Sequence, residues 1–192
     1  MKNRLDSFLL KGMFSTYCIK DLQANGLLRL PTYDSQERKD HDLFAIASES
    51  VRTSSILMQR NFRILYVFEN LVREFIISTF IDEDKTTEWF EKRANADMKK
   101  KLVDRKKNEE KNQWHTGRNE HPLFYMDFSD LSKLILAHWD VFKDYFPDQA
   151  WVSSRIKDSE RTRNVIAHTN ILSAEEGQRL EMHLRDWIRQ IG

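Results

Sequence analysis

The sequence predicts an all-α protein. Its 192 residues include only 5 Gly and 3 Pro, which is too few for a fold built on many tight turns. Its Leu, Ile and Phe residues recur with the spacing of a helix face and not with the alternation of a half-buried strand. A chain of this length can bury a substantial core, so we expect one main helical domain.

Composition also narrows the classes of function. The single cysteine, Cys18, excludes an internal disulfide and a cysteine-based zinc site. The 31 basic and 30 acidic side chains give a net charge of +1, so an anionic partner has to be bound by a local patch. No apolar run approaches the ~20 residues of a membrane span, and the first residues lack the pattern of a secretory signal. We therefore expect a cytoplasmic protein with no membrane partner.

Residues 1–41 are predicted to form an N-terminal helical arm and connector. The arm contains two short helical patterns, and Gly26 follows the second as a stop signal. The connector contains Pro31. We expect the arm to pack on the core or on a second subunit, and we assign residues 42–192 to the helical bundle.

The strongest core segment belongs to a long helical pattern from Asp42 to about Phe80, in which residues 53–55 are a candidate break. Its apolar face consists of Leu65, Phe68, Val72, Phe75, Ile76 and Phe80. Glu69 lies within that face, where a carboxylate needs a partner. Arg73, one turn later, is the expected local partner, and a role of Glu69 in chemistry is the alternative.

Residues 84–112 are predicted to form a charged helix that offers a surface to phosphates. Eight basic residues lie between Lys92 and Lys107, against two acidic ones. Clustered Lys and Arg side chains neutralise a nucleic-acid backbone without reading its sequence. The residues that we assign to RNA binding are Lys99, Lys100, Lys101, Arg105 and Lys106. The alternative is a solvated charged face without a ligand, which is common for such helices.

A polar loop follows at residues 113–125 and contains His115 and His121. Two histidines do not define a metal site, because no third ligand stands at a recognisable spacing. A metal-dependent hydrolase that combines them with the acidic turn at residues 82–84 is a weakly supported alternative. We predict no metal and no other cofactor.

The second half of the chain is predicted to contain three capped helices. Asp127 is placed as the N-cap of a helix over residues 128–146, and Asp148 opens the next helix. Ser173 and Glu176, three residues apart, form a capping box at the start of the last helix.

The helix that Asp148 opens carries the stretch RNVIAH at residues 163–168. Asn164 and His168 are neighbours on one helix face, and the long Arg163 side chain can swing toward that face although it lies about 140° away. The pattern can present an acid–base group and a fixed cation to one substrate. The alternative is an ordinary helix end, in which Arg163 pairs with an acidic neighbour and His168 interacts with the C-terminal dipole.

Three parts of the chain together resemble HEPN domains, the nucleotide-binding helical bundles of higher eukaryotes and prokaryotes. The matching segments are residues 68–76 (FENLVREFI), residues 125–131 (YMDFSDL) followed by Trp139 and Phe142, and residues 163–168 (RNVIAH) followed by residues 172–175. They look like the first core helix, the helix that enters the second half, and the Arg-polar-x3-His signature with its following helix. The order matches the family, and the likeness is closest to the Swt-like branch, over about residues 61–191.

The resemblance implies a HEPN-like bundle and a metal-independent RNA endonuclease of the toxin or defence type. In such proteins the Arg and His of two protomers meet across a dimer interface and form one composite cleft. His168 would transfer protons, Arg163 would stabilise the charge on the phosphate, and Asn164 would orient the His168 ring or a phosphate oxygen. The expected partners are an RNA substrate, a second copy of the chain in a homodimer, and an inhibitor or antitoxin protein.

Three further residues have supporting roles in this hypothesis. Arg161 would add contact to the RNA backbone. Glu69, one helical turn before Arg73, would fix the Arg163 guanidinium across the bundle. The competing function is a HEPN-like module that dimerises or binds a protein or nucleotide without cutting RNA. The complete Arg-Asn-x3-His signature favours the nuclease, whereas the unmatched N-terminal arm and the modest net charge favour the module.

Overall fold

The computed structural model describes residues 43–112 and 114–192 of the chain. The chain divides into two units between Arg52 and Thr53, and the second unit carries the bundle. The predicted arm at residues 1–41 lies outside the described residues, so its boundary stays a prediction.

The fold is all-α, as the sequence predicts, and no β-strand occurs within the described residues. The helices are α1 (Glu49–Asp84), α2 (Trp89–Arg93), α3 (Ala96–Glu110), α4 (Phe128–Ala137), α5 (Trp139–Phe142), α6 (Gln149–Ala167) and α7 (Ala174–Ile191), with a 3₁₀ turn at Pro122–Tyr125. Helix α4 packs against α6, α6 packs against α7, and α3 packs against the 3₁₀ turn. In this part of the chain, no helix combines the length and the apolar character needed to cross a bilayer.

Helix α1, with 36 residues, is the longest helix among the described residues and forms one wall of the core. Five of the six predicted core-face residues, Leu65, Phe68, Val72, Ile76 and Phe80, are buried. The sixth, Phe75, is half-buried and packs against the same cluster. The candidate break at residues 53–55 is wrong, because α1 runs through it. Ser and Thr lower helix propensity only slightly and, unlike Pro, do not interrupt the backbone hydrogen bonds.

The predicted helix over residues 84–112 is divided into α2 and α3. Asn95, between them, has an extended backbone, and its side-chain oxygen accepts a hydrogen bond from the Met98 N–H at 2.9 Å. This N-cap starts a new helix. The short α2 is held to the end of α1 by the Asp84–Arg93 ion pair at 2.6 Å.

The predicted helix over residues 128–146 is also interrupted, at His138, which separates α4 from α5. The His138 Nε2–H donates to the Arg93 carbonyl oxygen at 2.9 Å, so a contact with α2 fixes the ring at the break. The start of α4 agrees with the prediction, because the Asp130 carboxylate accepts a hydrogen bond from the Asp127 N–H at 3.1 Å.

The two C-terminal helices begin at the predicted caps. The Asp148 carboxylate accepts a backbone hydrogen bond at 2.7 Å from the first turn of α6. Ser173 and Glu176 exchange side-chain to backbone hydrogen bonds of 3.0 and 3.2 Å at the start of α7. Trp187 of α7 is fully buried and meets the Phe68 ring edge-on at 5.7 Å. Helix α7 therefore closes the core over α1.

Candidate functional site

A groove of about 480 Å³ lies between α1, the C-terminal end of α6, and the segment that contains Asn119 and Phe124. Its polar lining residues are Glu69, Asn70, Arg73, Asn119 and Arg163. We call it the Arg163 groove. It brings together three residues that the sequence analysis singled out, Glu69, Arg73 and Arg163.

Arg163 enters the groove from α6 with an exposed side chain. Within the described residues it forms neither a hydrogen bond nor an ion pair. The acidic neighbour expected for an ordinary helix end is therefore not found in that part of the chain. A guanidinium in this state has its donors available for a carboxylate or phosphate ligand.

Glu69 and Arg73 form the pair that their spacing predicts. The Arg73 Nη2 donates to Glu69 Oε1 at 2.6 Å, and the side chains are 8% and 18% exposed for Arg73 and Glu69. Arg73 also donates to the carbonyl oxygens of Leu123 at 3.4 Å and Met126 at 3.3 Å. Glu69 thus lines the same groove as Arg163 but is bonded to Arg73, which lies one turn away on its own helix. Through these hydrogen bonds, Arg73 connects α1 to the 3₁₀ turn.

His168 lies at the end of α6 and is not part of the groove lining. Its side chain is exposed, and the imidazole makes no hydrogen bond to the described residues. The backbone turns at Thr169, which has a φ of 57°, so the helix stops directly after His168. Because five positions turn a side chain about 140° around a helix, Arg163 and His168 are presented on different sides of one helix end.

Two other predicted residues lie on α6. Asn164 is exposed and outside the groove lining, one helical turn before His168. Arg161 is exposed, and its Nη1 lies 3.5 Å from an Asp158 carboxylate oxygen. Their proposed roles in catalysis and in RNA contact stay predictions.

Two of the residues assigned to RNA binding belong to an ion network between α3 and α4. Lys101 contacts Asp130 at 2.6 Å and Asp127 at 3.1 Å. Arg105 contacts Asp127 at 2.8 Å and donates to the Tyr125 carbonyl. The hydrogen bond to Asp130 raises the pKa of Lys101. These cations are therefore balanced by carboxylates inside the protomer.

The other three assigned residues lie at the surface of α3. Lys99 donates to the Glu91 carbonyl at 2.5 Å, and Lys106 lies over the Tyr125 ring at 5.6 Å. Lys100 is exposed. None of the five lines the Arg163 groove, so their part in RNA binding stays a prediction about a separate surface.

The groove also contains residues that the sequence analysis did not assign. On α1 these are Phe62, Tyr66 and Asn70, and from the loop they are Asn119 and Phe124. The three on α1 recur every four residues beside the core face, which is a signal that the sequence does contain. Asn119 and Phe124 have no comparable pattern, because a loop position depends on the tertiary fold.

The loop histidines have local partners. The His115 Nδ1 lies 3.1 Å from the Thr116 carbonyl, and the His121 Nδ1 accepts from the Leu123 N–H at 3.2 Å. Burial lowers the pKa of His121. Across residues 43–112 and 114–192, no group of three or more His, Cys, Asp or Glu is arranged to hold a metal ion.

Comparison with known proteins gives one match. A family model described as Swt1-like HEPN matches residues 63–192. The match includes the groove residues from Leu65 onward and the His168 end of α6. Neither the curated proteins nor the solved structures with which the chain was compared contain a match.

Proposed function

This chain belongs to the Swt1-like HEPN family, and from that premise we propose that it is a metal-independent RNA endonuclease whose active site is shared by two protomers. The observation that carries the proposal is the lining of the Arg163 groove, which includes an arginine without an ion-pair partner in the described residues and includes no histidine. Without an imidazole, the groove contains the phosphate-binding cation and forms half of the proposed site. His168 of a second copy supplies the missing group when the two helix ends face each other.

The reaction uses the RNA as its own nucleophile. The 2′-hydroxyl oxygen attacks the adjacent phosphorus, and the His168 imidazole of the second copy accepts its proton. The bond from phosphorus to the 5′ oxygen breaks, and the same imidazole, now protonated, donates that proton to the leaving oxygen. The products are a 2′,3′-cyclic phosphate and a 5′-hydroxyl. Imidazole suits both steps because it exchanges protons near neutral pH.

Arg163 and Asn164 assist this transfer in different ways. The planar Arg163 guanidinium binds two non-bridging phosphate oxygens and stabilises the charge that develops on them. Asn164 lies one turn before His168, so its amide can bond the imidazole and fix the ring for proton transfer.

A second candidate function is a HEPN module that binds a protein without cutting RNA. It is favoured by apolar side chains left exposed in a groove between α1 and α7, among them Val67 at 39% and Ile188 at 49%. Grouped apolar side chains at a surface mark protein interfaces. This function predicts that the folded protein binds a protein partner and does not cleave RNA.

Cleavage of mixed-sequence RNA by the full chain in EDTA distinguishes the two functions. We expect the wild type to produce cyclic phosphate ends, and both His168→Ala and Arg163→Ala to slow cleavage by about 10²-fold or more. His115→Ala and Arg189→Ala are the matched controls, because both residues are exposed outside the groove; they should keep the wild-type rate.

Two results contradict the nuclease. One is intact RNA after incubation with a folded wild-type protein, which supports the binding module. The other is cleavage by His168→Ala at the wild-type rate, which would assign proton transfer to a different group or to a contaminant.

A further inference from the structure

Part of the Arg163 groove is lined by aromatic rings that are left in contact with solvent. Tyr66 is 60% exposed and Phe62 is 55% exposed, and their ring centroids lie 6.2 Å apart. Phe124 lines the groove beneath the Arg73 guanidinium, at 5.4 Å. Aromatic rings gain most when an apolar or flat surface covers them, so these rings offer a stacking surface within a concave site.

Unused hydrogen-bonding groups lie beside the rings. The Asn70 Nδ2 donates to the Tyr66 carbonyl at 2.7 Å, and within the described residues its Oδ1 has no hydrogen bond. The Asn119 Oδ1 accepts from the His121 N–H at 2.9 Å, which leaves the Asn119 Nδ2 donors available. Only the Oε1 of Glu69 is bonded to Arg73. The groove therefore offers both donors and acceptors next to flat apolar faces.

We propose that the Arg163 groove is a nucleobase subsite, in which a base of single-stranded RNA stacks on Tyr66 and Phe62 while the adjoining phosphate binds Arg163. A base has an apolar face and an edge of donors and acceptors, which is the chemistry that this lining complements. The groove volume of about 480 Å³ lies in the range of small-molecule pockets. The inference rests on the proposed function and specifies its substrate, because a base inside a duplex has its faces and its edge covered.

A second copy of the chain is the competing occupant of these rings. The lining favours the base. Glu69 lies in the same concave site as the rings, and glutamate is depleted at protein interfaces. Burying the unpaired Arg163 against a protein surface also carries a large desolvation cost, whereas an RNA phosphate compensates its charge.

The test measures binding, so its result is independent of catalysis. The first probe is a short fluorescein-labelled single-stranded 2′-O-methyl RNA, which has no free 2′-hydroxyl and cannot be cleaved by the proposed route. The second has the same sugar–phosphate backbone without bases. In the full chain, we expect Tyr66→Ala to weaken binding of the first probe about tenfold and to leave binding of the second unchanged.

Three variants make the comparison specific. Tyr66→Phe keeps the ring and should bind both probes as the wild type does. Arg163→Ala should weaken both probes, because both carry phosphates. Trp114→Ala removes a ring that lies outside the groove and is 84% exposed. This variant should bind both probes as the wild type does.

The subsite is overturned if wild-type protein does not bind the first probe, or if Tyr66→Ala matches the wild type. It is also overturned if Tyr66→Ala weakens binding of both probes equally, or if Trp114→Ala weakens binding of the first probe as much as Tyr66→Ala does. Dissociation of a wild-type dimer by Tyr66→Ala, with binding of the first probe unchanged, assigns the ring to the protein interface instead. If the protein binds the bases but cuts no RNA, only the proposed function is contradicted. If it cuts RNA and Tyr66→Ala binds the first probe as the wild type does, only the subsite is contradicted.

Discussion

Two arginines line the same groove, and their partners separate their roles. Arg73 bonds Glu69 and two backbone carbonyls, so its charge is used to hold α1 against the 3₁₀ turn. Arg163 has no such partner among the described residues. Helical spacing predicted the Glu69–Arg73 pair, whereas no local pattern shows whether Arg163 also has an acidic partner. The tertiary environment makes one structural and leaves the other available for a ligand.

His183 is a second residue whose environment determines its behaviour. It is buried on α7, with neither ring nitrogen hydrogen-bonded in the described structure. Burial lowers the pKa of His183, although the Asp158 carboxylate at 3.6 Å favours the protonated form. Arg155 opposes protonation and Asp186 favours it. Desolvation is the largest of these effects, so the pKa of His183 in the folded protein lies below its ordinary value.

This difference predicts a loss of stability in mild acid. The unfolded chain protonates His183 near its ordinary pKa of 6.5, whereas the folded chain does so only at lower pH. The unfolded state then binds more protons, so the free energy of unfolding falls as the pH drops below about 6.5. His121 contributes in the same direction.

Thermal unfolding between pH 7.5 and 5.5 measures this effect; in that window ordinary carboxylates remain ionised. The wild-type Tm should fall as the pH is lowered. The Tm of His183→Gln should fall less across the same interval, because glutamine cannot be protonated. Adding His121→Gln to His183→Gln should make the decrease in Tm smaller still. Parallel pH dependence in wild type and His183→Gln would refute the assignment.

At the scale of elements, helix α3 has two kinds of basic residue. Lys101 holds Asp130, whose side chain is only 4% exposed, and so joins α3 to α4. Lys100, its neighbour in the sequence, is exposed. The first contributes to folding, and only the second is available to a polyanion without breaking a contact.

This division predicts different effects for two adjacent substitutions. Lys101→Ala leaves the buried Asp130 carboxylate with a weaker set of partners, and should lower the free energy of unfolding by about 1–2 kcal/mol. That figure is below the value for a fully buried pair because Lys101 is 36% exposed. Lys100→Ala should cost less than about 0.5 kcal/mol. Urea unfolding measures both, and equal midpoints for the two variants would contradict the network's role.

Local patterns predicted the starts of α4, α6 and α7 and the main core face. Asp148 and Ser173 cap helices where the sequence places them, because a cap depends on neighbours within one turn. The breaks at Asn95 and His138 were not predicted. The His138 break accompanies a contact with Arg93 of another helix, which no local pattern encodes.

The candidate site follows the same rule. The family resemblance identified Arg163 and His168, and helical spacing identified the Glu69–Arg73 pair. Neither identified Tyr66 as a groove residue, because its exposure becomes informative only when α6 and the loop form a concave surface beside it. Long-range packing thus contributed the part of the site that the sequence analysis lacked.

At the scale of the whole molecule, the proposed nuclease activity depends on the pairing of two protomers. One protomer presents Arg163 in a groove and His168 outside its lining. A second protomer related by a two-fold axis would present the same pair in reverse, so that each functional group meets its complement. The central claim is therefore that cleavage requires both protomers to be intact.

Mixing wild-type chains with equal amounts of an Arg163→Ala/His168→Ala double variant tests that claim most directly. The two proteins are co-expressed so that they pair at random, and RNA cleavage is measured at constant total chain concentration. If both protomers must be intact, only wild-type pairs cut, and activity should fall to about one quarter of the undiluted value. A fall to about one half would show that each chain cuts independently and would contradict the account.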